Sequence, residues 1–378
     1  MSLLLALLGC DPGAALPSVA PPPAPGWTLA VWMDGDNDLE PLVLWDLDEL
    51  ERAVGPDVRV VVQADRAPGY VRWDGDWTGA RRYVLQADGA RGVVSPVAAD
   101  LGERDMGDPA ELAEFLLWAD AVAPSEHLAV ALWDHGGGYW IASDETSRSV
   151  MTVAGELQDA LQPVIDARGR RVDVIAFDAC NMGQWEVAHA LAPQADVLVA
   201  SEAWVNNQGL GYDLAFGGVD GAADARAVGD RLAWSAGARG ELTMSAIDLA
   251  AEAEVGAAVD ALARAWLADP ALLPEWGRVR QETLQLDRVW TDWWLDLGDL
   301  GASVARSADP GLAAAGARLT TAVDAAAIGR YGRVQRARGL SIFGVTSSRR
   351  YGELYRRGDW ARDTAWDELL IALARARP

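Results

Sequence analysis

Lysine is absent from the 378 residues: all 32 basic side chains other than the three histidines are arginine. Any self-cleavage at a basic residue must therefore follow arginine. Basic charge is also outnumbered, by 56 acids, for a formal net charge of -24. That balance excludes nucleic acid as a partner, because phosphate binding needs a basic field, and it attracts basic peptides. Cysteine is nearly absent. Cys10 and Cys180 are the only two, and Cys10 lies in a leader-like end, so no structural disulfide is expected. Long apolar runs are missing too. Leu3–Leu8 is too short to span a bilayer, and Ala-rich stretches such as 221–265 are broken by Asp, Glu and Arg.

What remains is 51% hydrophobic, ample for one large domain or two closely joined ones. Leu7-Leu8-Gly9 before Cys10 resembles a bacterial lipoprotein signal, so residues 1–10 read as a leader with Cys10 as the lipidated residue. Residues 11–26, with Pro21-Pro22-Pro23, read as a semi-stiff tether. This predicts a lipid-anchored location in the bacterial cell envelope, or secretion. With Cys10 lipidated, Cys180 is the sole free thiol.

The folded part starts near Trp27. Apolar runs at 28–33, 58–63, 128–133, 172–177 and 197–200 predict strands. Helices are expected at 39–54, 108–121, 153–163 and 183–191. Asp108-Pro109-Ala110-Glu111 carries a capping residue, a first-turn proline and a first-turn acid. Residues 70–86 are read as antiparallel strands around an Asp74-Gly75 turn. Residues 220–265 and 273–328 are read as helical, the second with a turn around the Asp-rich 295–299, 340–346 as a late strand and 361–376 as a last helix. The alternation predicts an α/β fold: a mostly parallel sheet between helices, with a catalytic core at 27–219 and a helical region at 220–378 completing it.

In such sheets ligands bind beyond the carboxyl ends of strands. His135, in Trp133-Asp-His-Gly-Gly-Gly138, and Cys180, in Phe177-Asp-Ala-Cys180, both occupy that position. A thiolate is a strong nucleophile, and an imidazole can take its proton and later return it to a leaving amine. The glycines permit a tight turn, and the N–H groups of Gly136, Gly137 and Cys180 are candidate oxyanion donors.

Trp133–Gly138 and Phe177-Asp-Ala-Cys-Asn-Met-Gly183 are similar to the two catalytic motifs of the clostripain family of cysteine peptidases. Met33–Glu40, Asp144-Glu-Thr, Met151–Leu157, Gly339–Phe343, and Trp366 with Leu370 resemble other parts of that family, so the likeness spans roughly 27–376. It implies the caspase-like α/β/α sandwich, a His135–Cys180 dyad, and cleavage of peptides or proteins after exposed arginine. It makes Asp178 a wall of the S1 pocket, since a carboxylate pairs with a guanidinium. Glu202 or Asp213 is the candidate second acid, although Ser201–Tyr212 lacks the family's usual proline. Arg148-Ser149, in a polar stretch between the motifs, is the candidate self-cleavage site.

The chemistry needs no cofactor, and the resemblance leaves calcium open. Asp34, Asp36 and Asp38 have the spacing of the first ligands of a calcium loop, but Leu39 and Trp45 stand where its glycine and glutamate belong. A turn is the better reading. Asp134 is expected to point away from His135, and His127 and His189 to be structural. Some of the eighteen tryptophans, Trp293 and Trp294 among them, are candidates for a peptide groove or for core packing. A monomer is expected. The alternatives are the same dyad with another P1 preference or acyl transfer, and a surface-anchored binding protein without turnover.

Overall fold

Strands buried on both faces read as continuous apolar runs, and five of them form the centre of the molecule. The structure, a computed structural model, describes residues 24–286, 293–345 and 355–376. Cys10, and with it the leader and all but the end of the tether, lies outside the described residues.

The strands are β1 (Ala24–Met33), β2 (Val58–Ala64), β3 (Ala80–Val84), β4 (Val97–Gly102), β5 (Ser125–Trp133), β6 (Trp140–Asp144), β7 (Ser149–Thr152), β8 (Val172–Asp178), β9 (Ala195–Ala200), β10 (Met244–Asp248), β11 (Trp294–Asp296), β12 (Ala327–Tyr331) and β13 (Ser341–Phe343). A nine-stranded sheet has the order β12-β10-β9-β8-β5-β1-β2-β3-β4. β9, β8, β5, β1 and β2 are parallel, and the outer strands are antiparallel. β6 with β7, and β11 with β13, form two small antiparallel pairs.

Side chains alternate between two cores, as a pleated strand requires. Ala30, Trp32, Val130, Leu132, Ile175 and Phe177 face the core that contains α2 (Pro109–Val122) and α3 (Glu156–Arg168). Leu29, Val31, Met33, Ala129, Ala131 and Val174 face the other, under α1 (Glu40–Ala53) and residues 212–238. The chain leaves β1 toward β2 on one side and takes up β5 on the other. This reversal opens a crevice beyond the carboxyl ends of β1 and β5.

Local chemistry sets the elements. Asp108 caps α2 by accepting from Ala110 N–H at 2.8 Å, a contribution of about 1 kcal/mol. α3 begins at Glu156, after Gly155 at φ 97, and runs through Pro163 to Gly169 at φ 66. The helix expected over 153–163 is thus shifted and longer. The expected hairpin at 70–86 is corrected. Asp74 and Gly75 do turn, at φ 55 and 80, but residues 70–79 hold no strand, and β3 pairs with β2 and β4 instead. The expectation of unbroken helix over 220–265 also fails. Helices at 225–238 and 252–267 flank β10, a five-residue strand buried on both faces whose composition has no alternation to reveal it. β10 and β12 join the main sheet, so residues beyond 220 contribute strands as well as helices. Near the turn expected at 295–299 within 273–328 the structure has the short strand β11, and the late strand predicted at 340–346 is seen at Ser341–Phe343.

Candidate active site

Parallel pairing of β5 with β8 puts Trp133 opposite Asp178. His135 and Cys180 each follow two residues later. Asp134 N–H donates to Asp178 C=O at 3.3 Å, carrying the alignment one residue past the strands. The loops then touch. A Cβ on Gly136 would stand 2.6 Å from the Cys180 carbonyl oxygen, so only glycine permits this approach.

The imidazole of His135 is held from the far side. Its Nε2 lies 2.6 Å from Asp38 Oδ1, in the loop after β1. A carboxylate only accepts, so Nε2 carries the proton and Nδ1 of the neutral ring is left as the base. Asp38 was read from sequence as part of a turn, and its role as partner of His135 was missed. Asp134 does point away. Its carboxylate accepts from Asn37 Nδ2 at 2.7 Å and from Ser143 N–H, and burial pushes it up to about 7. It ties the histidine turn to the loop after β1.

The thiol of Cys180 is partly buried, accepts from Val205 N–H at 3.4 Å and donates to Val205 C=O at 3.8 Å. His135, Cys180 and Asp178 line one cavity of about 140 Å³, together with Leu39, Leu42 and Asp46 of the α1 side and Val205–Asn207. Asp178 is 6% exposed. Burial raises it to about 6, while Leu210 N–H and the Tyr212 hydroxyl, each 3.0 Å away, act in the opposite direction. Gly209, at φ +50, sits so close that a Cβ would meet Asp178 Oδ1 at 2.3 Å.

Besides Asp178, the cavity is lined by Asp46 and Asp134, and Asp46 was not named from the sequence. It accepts from Trp133 Nε1 at 2.6 Å, and burial followed by the neighbouring Asp178 raises its pKa well above the usual range. The sequence carried a signal for it: Asp46 breaks the apolar stripe Leu39, Leu42, Val43, Leu47, Leu50 on α1.

Glu202 and Asp213 do not line the cavity. Glu202 is fully buried, accepting from Gly339 N–H at 2.7 Å and Ser341 Oγ at 2.9 Å. Asp213 pairs with Arg239 at 3.0 Å. Among the expected oxyanion donors, Gly137 N–H is already spent on Trp140 C=O at 3.1 Å. Trp294 packs in the core against Tyr139, ring centroids 5.1 Å apart, and Trp293 is half-buried beside that core; neither lines the cavity. His127 stacks on Trp27 and pairs with Asp173, and His189 pairs with Glu252.

Arg148 is exposed at φ 58 in the turn between β6 and β7, and Ser149 Oγ bonds Asp105. Asp34 Oδ1 accepts from Asp36 N–H at 3.1 Å, which closes a turn, and Asp38 is turned to His135, so the three do not converge as a calcium loop. A different trio, Asp36, Glu103 and Asp144, brings one oxygen each within 4.8 Å of the others. No described helix is long and apolar enough to cross a membrane.

The model of the clostripain family, peptidase family C11, matches residues 31–291, well over half of the chain. Clostripain of Hathewaya histolytica is 28% identical over 221 residues, 50% of this chain and 41% of that protein. The chain thus spans less than half of that relative's length. A secreted C11 cysteine protease of Bacteroides thetaiotaomicron, solved with an irreversible peptide inhibitor, superposes with TM-score 0.69 at 18% identity, covering 91% of this chain and 100% of that one. An inactive zymogen C11 protease of Parabacteroides distasonis gives 0.68 at 18% identity, covering 92% and 99%. These likenesses establish the caspase-like fold. With both motifs at adjacent strand ends and the family match running across them, the chain belongs to the clostripain family, peptidase family C11.

Proposed function

We propose that the chain is a cysteine endopeptidase that cleaves on the carboxyl side of arginine. The observation that carries this reading is the single cavity that holds Cys180, His135 and the buried carboxyl of Asp178. His135 Nδ1 takes the thiol proton, and the thiolate attacks the scissile carbonyl carbon. The N–H groups of Cys180 and Gly136 receive the oxyanion. The imidazolium gives its proton to the departing amine as the C–N bond breaks, leaving a thioester on Cys180. His135 then deprotonates the water that hydrolyses it.

The P1 preference rests on charge. Asp178, Asp46 and Asp134 lie at a cavity whose lining also includes Leu39, Leu42, Trp133, Val205, Asn206 and Asn207. A guanidinium entering there gains the Asp178 carboxylate as a partner in a weakly solvated site. Two further features belong to the same reading: self-cleavage after Arg148, whose turn is exposed, and anchoring by a lipid on Cys10 with residues 11–26 as tether. The test is turnover of matched fluorogenic Arg, Lys and Asp peptides, with a Cys180→Ala control. Arg-directed turnover lost in the control supports the reading. Another P1 preference, or acyl transfer to an amine, would retain the dyad and replace the specificity. No turnover would leave a binding protein.

A further inference from the structure

The α1 wall of the cavity continues outward as an apolar strip. Leu39 and Leu42 line the cavity. Trp45 follows Leu42 by three residues on the same helix, a spacing that sets Cβ atoms about 5–6 Å apart. Trp45 is 64% exposed. Trp73, 56% exposed, stands across from it in the loop between β2 and β3, with ring centroids 6.4 Å apart and planes at 53°. The two indoles form an open wedge next to the cavity wall.

A second observation shows that the wedge is built. A buried ion pair, Glu40 in the first turn of α1 with Arg66 just past β2, holds the loop backbone from beneath. Arg66 Nη2 donates to Val71 C=O at 2.8 Å and Nη1 to Trp73 C=O at 3.4 Å, while Glu40 accepts from Val71 N–H at 3.1 Å. The chain then turns through Asp74, Gly75 and Asp76, all at positive φ, and sends Trp77 inward. The Trp77 ring carries the guanidinium of Arg66 at 4.8 Å and that of Arg81 at 4.5 Å. One loop thus buries Trp77 and holds Trp73 in solvent. A lone exposed apolar side chain is ordinary. Two indoles fixed as a wedge beside a cleft are the kind of surface on which binding energy concentrates.

We propose that Trp45 and Trp73 form a second subsite of this cleft, one that takes an apolar side chain of the same peptide two to four residues from its arginine. This rests on the peptidase reading above. An extended peptide advances about 3.3 Å per residue, so two to four residues reach about 7–13 Å. That is the scale of the step from Leu42 past Trp45 to the second indole. Leu39, Leu42 and the two rings offer carbon surface along the whole strip, so a leucine side chain leaves water on entering the wedge. A carboxylate gains nothing there and loses hydration.

The experiment uses the full chain carrying Cys180→Ala, so that peptides stay intact, and reads Kd by calorimetry. The probes are alanine peptides with one arginine and a leucine, lysine or aspartate placed two to four residues to either side. Leucine at the matching position is expected to tighten binding about tenfold over alanine, the effect of withdrawing most of an aliphatic side chain from water. Trp45→Ala and Trp73→Ala should each remove that gain while the peptide with alanine there binds as before. Trp234→Ala, at another exposed tryptophan on the helix 225–238, should leave it intact. A leucine gain indifferent to both wedge variants, or a lysine gain larger than the leucine one, would overturn the proposal. Arginine peptides that bind without any leucine gain would overturn it alone, whereas arginine peptides that do not bind at all would overturn the peptidase reading with it.

Discussion

Trp133 and Asp178 face each other across β5 and β8, and that rung fixes where the chemistry sits. The indole of Trp133 donates to Asp46, Asp178 lies beside it, and both chains continue two residues to His135 and Cys180. Asp178 and the proposed dyad are therefore placed by one strand pairing, and Trp133 ties Asp46 of α1 to it. A register slip would move Asp178, His135 and Cys180 relative to one another, and parallel pairing buried on both faces resists such slips.

Asp178 is expected to titrate in the working range. Burial holds its carboxyl at about 6, so it is neutral below that pH and anionic above. Capture of arginine needs the anion. kcat/KM on an arginyl peptide should rise with pH through about 6 and then level. Asp178→Asn should lower the plateau about 10- to 100-fold, matching the ~1.5–3 kcal/mol of a charge-assisted hydrogen bond, and should remove that limb of the profile. A pH–rate comparison of the two proteins checks this.

Asp38→Ala leaves His135 Nε2 without its carboxylate. The pair is solvent-exposed, with side-chain exposures of 39% and 70%, and such pairs contribute ~0.2–1 kcal/mol. kcat should fall by up to about fivefold with KM unchanged, and Asp38→Asn, which keeps an acceptor, should recover most of it. Steady-state kinetics of both variants measure the split.

Much of this was legible from the sequence. The apolar runs named all five parallel strands, and the residues two positions beyond β5 and β8, proposed as the dyad, line one cavity. What escaped depended on contacts between distant segments. Asp38 and His135 are 97 residues apart, so no local pattern links them. Glu202 was assigned to the pocket from its neighbourhood, yet its partner Gly339 lies 137 residues on. β10 was lost because a short strand buried on both faces shows no period. Asp46 was readable in principle, as an acid on the buried stripe of α1, but an amphipathic helix tolerates such a break without declaring its use.

Arg148→Asn should block self-cleavage while preserving the turn, since asparagine tolerates the left-handed backbone found there. Intact-mass analysis of the active protein should show pieces ending at 148 and starting at 149. The variant should stay a single chain.

Glu202 should act on stability rather than specificity. Burial first, then the adjacent Asp296, raises its pKa well above the ordinary 4.5. It is protonated in the folded state, so the unfolded chain releases a proton that the native one keeps. Stability should therefore fall as pH rises above about 4.5. Glu202→Gln should flatten that decline, whereas Glu202→Ala should lose about 1–3 kcal/mol for each partner left unpaired, Gly339 N–H and Ser341 Oγ. Thermal melts from pH 5 to 8 distinguish them.

The most direct measurement is hydrolysis of an arginyl fluorogenic peptide by the full chain beside its Cys180→Ala and Asp178→Asn variants. Turnover abolished in the first and reduced about 10- to 100-fold in the second, with no gain on lysyl or aspartyl peptides, is the predicted result. Turnover that survives Cys180→Ala, or arginine preference indifferent to Asp178, would contradict the assignment of the dyad and its pocket.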